Sequence, residues 1–126
     1  MHTTIDGKKV SLVDFNRSSV PLMEIVSEPD IHHPEQAREY AKKIRDILRF
    51  IGIADCDMDQ GGMRLEANTS LKHADETGLP NYKVEVKNIN SFKFAKLAIE
   101  HEMQRQQALL ESGITPPQET RGFDST

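Results

Sequence analysis

Two stretches of the chain, MRLEANTSLK (residues 63–72) and YKVEVK (82–87), alternate apolar and polar side chains with a period of two. That period marks β-strands buried on one face only, because successive side chains leave a strand on opposite sides. Met63, Leu65, Ala67, Thr69 and Leu71 fall on one side of the first stretch, and Arg64, Glu66, Asn68 and Ser70 on the other. Tyr82, Val84 and Val86 separate in the same way from Lys83, Glu85 and Lys87. A sheet with one apolar face needs a cover, and two helical stretches can supply it. Residues 33–53 place Pro34 and Glu35 in a first turn and repeat Ala37, Tyr40 or Ala41, Ile44, Ile47 or Leu48 and Ile51 at helical spacing, with Gly52 as the stop. A second helix is expected after Ser91 as N-cap, with Phe94 or Ala95, Ala98 or Ile99, Met103, Gln106 and Leu109 or Leu110 along one side and Gly113 at its end.

The remaining segments complete the fold class. Residues 8–16 and 21–28 read as two further strands joined by the polar NRSSV, the second ended by Pro29 and Asp30. Residues 73–80 read as a loop, and everything after Gly113 as irregular. Strand, strand, helix, strand, strand, helix predicts an α+β domain: a mostly antiparallel sheet with two amphipathic helices on one face. A chain of 126 residues, 37% hydrophobic and 29% charged, has room for one domain with a modest core.

Composition also sets limits on function. No apolar run approaches the ~20 residues of a membrane helix, and the first ten residues lack the apolar stretch of a secretion signal, so a cytoplasmic setting is expected. The single Cys56 has no internal disulfide partner and no second thiol with which to hold zinc. A formal net charge of −4 argues against a salt-driven grip on nucleic acid, since that needs a basic surface. Any such contact is local, and Lys83, Lys87, Lys93 and Lys96 are the candidate stretch, although scattered lysines also suit a solvated face.

The polar side of the sheet carries the functional question. From spacing alone, the solvated face with weak cross-strand ion pairs is the favoured reading. Residue choice points the other way, because Asn68, Asn88 and Asn90 are poor strand formers that solvation does not explain. Carboxylates, amides, an arginine and a lysine on one face suit a metal and phosphate oxygens. No glycine-rich phosphate loop is present, so a nucleotide would have to bind on the sheet itself. Glu24 is the odd acid within the apolar PLMEIV.

Four motifs occur in order: VDFNRSSVPLMEIVSEPDI (13–31), MDQGGMRLEANTS (58–70), VEVKNINSFKFAKLAIEHEMQRQ (84–106) and QETRGFD (118–124). Together they resemble the B subunits of tRNA-dependent amidotransferases. The resemblance implies a glutamine-synthetase-like cradle fold. It implies a two-step reaction in which ATP phosphorylates the side-chain carboxylate of Glu-tRNA(Gln) or Asp-tRNA(Asn), and ammonia from glutamine then displaces phosphate. Mg²⁺ and ATP, an amidase A subunit, a small C subunit and the mischarged tRNA are the implied cofactors and partners. By the same resemblance Glu24 matches a Mg²⁺ ligand, and Arg64, Glu66 and Lys87 match catalytic positions. Asn68, Asn88, Asn90, Ser91 and Arg121 match positions assigned to phosphate, nucleotide or acceptor-end contacts. Asp14, Asn16, Arg17, Gln118 and Glu119 also match, with structural hydrogen bonding an equal alternative.

The chain departs from the pattern at several positions. Asp59, Gln60 and Gly62 stand where the family carries an acidic pair and a serine, Glu66 where most members have Asp, and Ser19 where they have Gly. The resemblance further implies that residues 1–126 are a single partial domain, the central and C-terminal part of the cradle. The N-terminal strands with further metal ligands and the C-terminal helical and tail domains would then lie outside it. A non-catalytic cradle remnant that binds tRNA or a partner subunit is the alternative, and an archaeal-type subunit specific for Glu-tRNA(Gln) is a further one.

Overall fold

The computed structural model describes residues 2–125. The chain is α+β, as the periodicities predict, and its elements run β1 (His2–Ile5), β2 (Lys8–Ser11), α1 (Pro34–Phe50), β3 (Leu65–Thr69), β4 (Val84–Ile89), α2 (Phe92–Glu111) and β5 (Glu119–Gly122). β3 and β4 pair antiparallel, and β5 joins the other edge of β4 in parallel, giving the order β3-β4-β5. β1 and β2 form a separate antiparallel hairpin.

The apolar sides fall where alternation puts them. Tyr82, Val84, Val86 and Ile89 are buried, and Val86 and Ile89 pack with Ala95 and Ala98 of α2, flanked by Leu65, Ala67, Phe94 and Phe123. The Phe94 and Phe123 rings meet at 5.6 Å between centroids. Ser91 caps α2 as expected, its hydroxyl accepting from the Phe94 amide at 3.0 Å. α1 packs chiefly on α2, with the Arg45 guanidinium 4.8 Å from the Phe92 ring centroid and Lys96 Nζ 3.0 Å from Glu35 Oε2. The helices are therefore stacked, α2 on the sheet and α1 on α2.

Three expectations fail. Residues 21–28 form no strand; the segment is irregular and exposed, with Leu22 at 88% and Val26 at 75% exposure. Apolar alternation there had suggested a partner for residues 8–16, but β2 ends at Ser11 and pairs with β1. The Asp6-Gly7 turn that closes this hairpin has φ of 49° and 74°, the left-handed pair a two-residue hairpin turn requires. The tail is not all irregular either, because residues 119–122 are β5.

Candidate functional site

β3 and β4 meet through a bulge. Leu65 pairs with Ile89 and Ala67 with Val86, so Glu66 alone stands opposite both Lys87 and Asn88. Asn88 sits at φ 63°, a left-handed conformation that Asn tolerates better than other residues with a Cβ. Its side-chain amide donates to the Phe123 carbonyl at 2.9 Å, and the Phe123 amide donates to the Lys87 carbonyl at 2.9 Å. The asparagine that looked out of place in a strand is what lets this strand turn its bulge.

Around the bulge, polar groups gather on the side of the sheet away from α2. Lys87 Nζ lies 3.5 Å from Glu66 Oε1 and 3.6 Å from Glu85 Oε1. Asn68 is the register partner of Glu85, and Thr120 donates its hydroxyl to Glu85 Oε2 at 3.0 Å. That bond, together with the Lys87 charge, outweighs partial desolvation and holds the Glu85 carboxyl below its usual range. The Lys87 and Glu66 side chains are each 47% exposed, so the face is open and solvent screens its ion pairs. Arg64 precedes β3 and continues its alternation of exposure, which keeps it on the side of Glu66 and Asn68. Asn90 is exposed just beyond β4.

Arg121 belongs to the opposite face. Its register partner is the buried Val86, and its guanidinium lies 3.1 Å from Glu119 Oε1 and 3.8 Å from Glu102 Oε2 of α2. Glu102, only 3% exposed, takes two hydrogen bonds from Arg105 at 3.0 and 2.8 Å and one from Gln106 at 2.7 Å. Burial pushes the Glu102 carboxyl upward, but the bonds from Arg105 and Gln106 and the charges of Arg105 and Arg121 bring it below the usual range. Gln106, fully buried, also donates to the Thr69 carbonyl and accepts from the Leu71 amide and the Tyr82 hydroxyl. Sequence reasoning missed Glu102. The available signal was its place on the Ala95, Ala98, Gln106 stripe of α2, with Arg105 three residues on.

Glu24 lies in the exposed, irregular segment 21–28, so no apolar strand surrounds it. Among the described residues, no three His, Cys, Asp or Glu side chains converge. The loop after α1 accounts for one departure from the family pattern: a Cβ on Gly62 would meet the Asp57 amide nitrogen at 2.8 Å, so the expected serine does not fit this closure. Ser19 has φ 67°, the kind of position where the family's Gly is at ease.

The domain is α+β, with an open face of acid, amide and cation around a bulged strand pair. The family described as the GatB/GatE catalytic domain matches residues 1–126, and the chain belongs to that family. Its relatives include aspartyl/glutamyl-tRNA(Asn/Gln) amidotransferase subunits B. That of Thermodesulfovibrio yellowstonii is 50% identical over 120 residues, covering 95% of this chain and 25% of the relative. That of Geobacillus thermodenitrificans is 48% identical over 126 residues, 98% of this chain and 25% of the relative. That of Roseiflexus castenholzii is 48% identical over 128 residues, 100% of this chain and 25% of the relative. The chain thus spans about a quarter of the length of these relatives. No helix among the described residues is long and apolar enough to cross a membrane.

Proposed function

We propose that this domain is part of the kinase and transamidase centre of a tRNA-dependent amidotransferase. In this reading ATP phosphorylates the side-chain carboxylate of Glu-tRNA(Gln) or Asp-tRNA(Asn), and ammonia derived from glutamine displaces the phosphate. The amidase A subunit and the small C subunit complete a cytoplasmic heterotrimer. The observation that carries the reading is the cluster at the bulge, Glu66, Asn68, Glu85 and Lys87 on one open face, in a chain that belongs to the GatB/GatE catalytic domain family.

Each side chain then has a chemical task. Lys87 offers its ammonium to phosphoryl oxygens, where a fixed cation stabilises charge that grows in the transition state. Glu66 and Glu85 hold that ammonium in place, but two carboxylates and one ammonium leave the trio with one net negative charge. A triphosphate there needs a second cation, and Arg64 is assigned that part. Asn68, Asn88 and Asn90 offer amide groups to the nucleotide or the acceptor end, with the Asn88 amide also engaged on Phe123. Ser91 keeps its hydroxyl proton available while its oxygen caps α2. Glu24 is assigned one Mg²⁺ ligand position, with the other ligands from protein beyond these 126 residues.

The test is to assemble the complete subunit with its partner subunits and supply glutamine, ATP and each mischarged tRNA. Formation of Gln-tRNA(Gln) or Asn-tRNA(Asn) is expected. Binding of tRNA without amide formation from either would overturn the enzymatic reading and favour a binding module.

A further inference from the structure

The geometry points to β5 as a strap that fixes the backbone at Lys87, and to Arg121 and Glu102 as the positioning residues that fasten it. The inference rests on the reading of Lys87 given above. Three contacts from β5 and the residue after it bracket that lysine: Phe123 N to Lys87 O at 2.9 Å, the Asn88 amide to Phe123 O at 2.9 Å, and Thr120 Oγ1 to Glu85 Oε2 at 3.0 Å. The third touches one of the two carboxylates that hold the ammonium. Lys87 stands at a bulge beside a residue of positive φ, where the ladder with β3 is interrupted and supplies less restraint.

β5 itself is a four-residue edge strand in parallel pairing, too short to be held by its ladder alone. Its second fastening is the ion network on the helix side. Glu119 lies 3.2 Å from Arg105, Arg121 lies 3.1 Å from Glu119 and 3.8 Å from Glu102, and Glu102 is anchored by Arg105 and Gln106. Glu102 is almost fully buried and is held by its bonds from Arg105 and Gln106, so it is a fixed anchor for the half-exposed Arg121 guanidinium, which reaches it at 3.8 Å. Arg121 faces away from Lys87, so its effect on phosphoryl transfer passes through β5 rather than through contact with substrate.

The experiment compares Lys87→Ala, Arg121→Ala and the double variant in the complete amidotransferase assembly. It reads ADP formation on mischarged tRNA, KM for ATP and tRNA affinity, with amide exchange at Phe123 as an independent measure. Arg121→Ala is expected to lower kcat about 10- to 100-fold, the range in which small displacements of reacting groups act. KM for ATP and tRNA affinity should stay within about twofold, the mark of an interaction used only in the transition state. In the Lys87→Ala background the same substitution should cost less than about twofold, because the two act through one group. Arg121→Lys should restore part of the rate, and Phe123 exchange should quicken in Arg121→Ala and in Glu102→Gln. An equal loss in both backgrounds would assign Arg121 a general structural role and overturn the inference. A raised KM with kcat unchanged would make Arg121 a substrate contact and overturn it as well. Lys87→Ala without effect on kcat would instead refute the reading of Lys87 on which the strap depends.

Discussion

Replacing Gln106 by Leu removes the most heavily bonded side chain of the interior while keeping its volume approximately constant. Four contacts are lost: to Leu71 N at 2.9 Å, the Tyr82 hydroxyl at 3.0 Å, Thr69 O at 3.0 Å and Glu102 Oε1 at 2.7 Å. They do not weigh equally. The Leu71 amide still has the Tyr82 oxygen at 3.1 Å, and the Tyr82 hydroxyl still donates to Leu71 O at 2.8 Å, so these two retain partners. The Thr69 carbonyl loses a donor at a buried position, costing about 1–3 kcal/mol, and the charge-assisted bond to Glu102 is worth roughly 1.5–3 kcal/mol. The expected loss is about 3–5 kcal/mol, a large part of the ~5–15 kcal/mol that holds an ordinary domain together. Denaturant unfolding of the 126-residue chain measures it, and exchange of the Leu71 amide reads it locally. Gln107→Leu is the control: that neighbour is exposed, bonds Glu111 at 2.8 Å on the same helix, and should change stability by less than ~0.5 kcal/mol. If Gln106→Leu costs no more than Gln107→Leu, the buried network does not join α2 to β3 and β4 as described.

Three further outcomes follow from the same geometry. Asn88→Gly keeps the left-handed backbone and loses one side-chain bond, whereas Asn88→Val also meets the left-handed penalty of roughly 1–2 kcal/mol; unfolding midpoints should rank wild type, Gly, Val, and an equal Gly and Val would deny the bulge its role. Gly62→Ala should cost about 1–3 kcal/mol, since the added Cβ meets the backbone of Asp57, and a neutral result in the same unfolding assay would mean the loop opens freely. The carboxyl of Glu102 titrates below its ordinary value of 4.5 when folded, so the unfolded chain binds the proton more readily. Its stabilisation is complete above that ordinary value and is lost as pH falls through the folded one. Unfolding midpoints of Glu102→Gln should therefore fall less steeply than wild type below about pH 4.5, with Glu35 and Glu85 still contributing; an unchanged slope would contradict the assignment.

The parts of this fold that were legible in the sequence are those where packing follows period alone. Met63 to Leu71 and Tyr82 to Val86 alternate because α2 covers one side of their sheet, and the buried residues are those that alternation selects. β5 was not legible, because Glu119 and Arg121 reach the helix side through ion pairs and leave no apolar alternation to read. Residues 21–28 were over-read for the opposite reason: Leu22, Met23, Ile25 and Val26 have the composition of a buried strand, yet no strand among the described residues pairs with them. At the polar face, alternation brought Glu66, Asn68 and Lys87 together correctly. It could not show that Asn88 is there for its φ angle or that Arg121 turns the other way, since both depend on register with a strand the sequence does not announce.

The most direct measurement of the central claim, that the bulge face serves phosphoryl transfer, is single-turnover transfer of labelled γ-phosphate from ATP to the aminoacyl carboxylate in the complete assembly. Lys87→Ala should be compared with Lys83→Ala, which removes an exposed lysine lying before β4 and outside the Glu66 and Glu85 pairings. Lys87→Ala is expected to lose at least about 100-fold, on the scale of removing one preorganised electrostatic group, with tRNA affinity unchanged. Lys83→Ala should transfer phosphate at the wild-type rate. Equal rates for the two variants, or a Lys87→Ala defect confined to tRNA binding, would contradict the claim and leave the face as solvated surface.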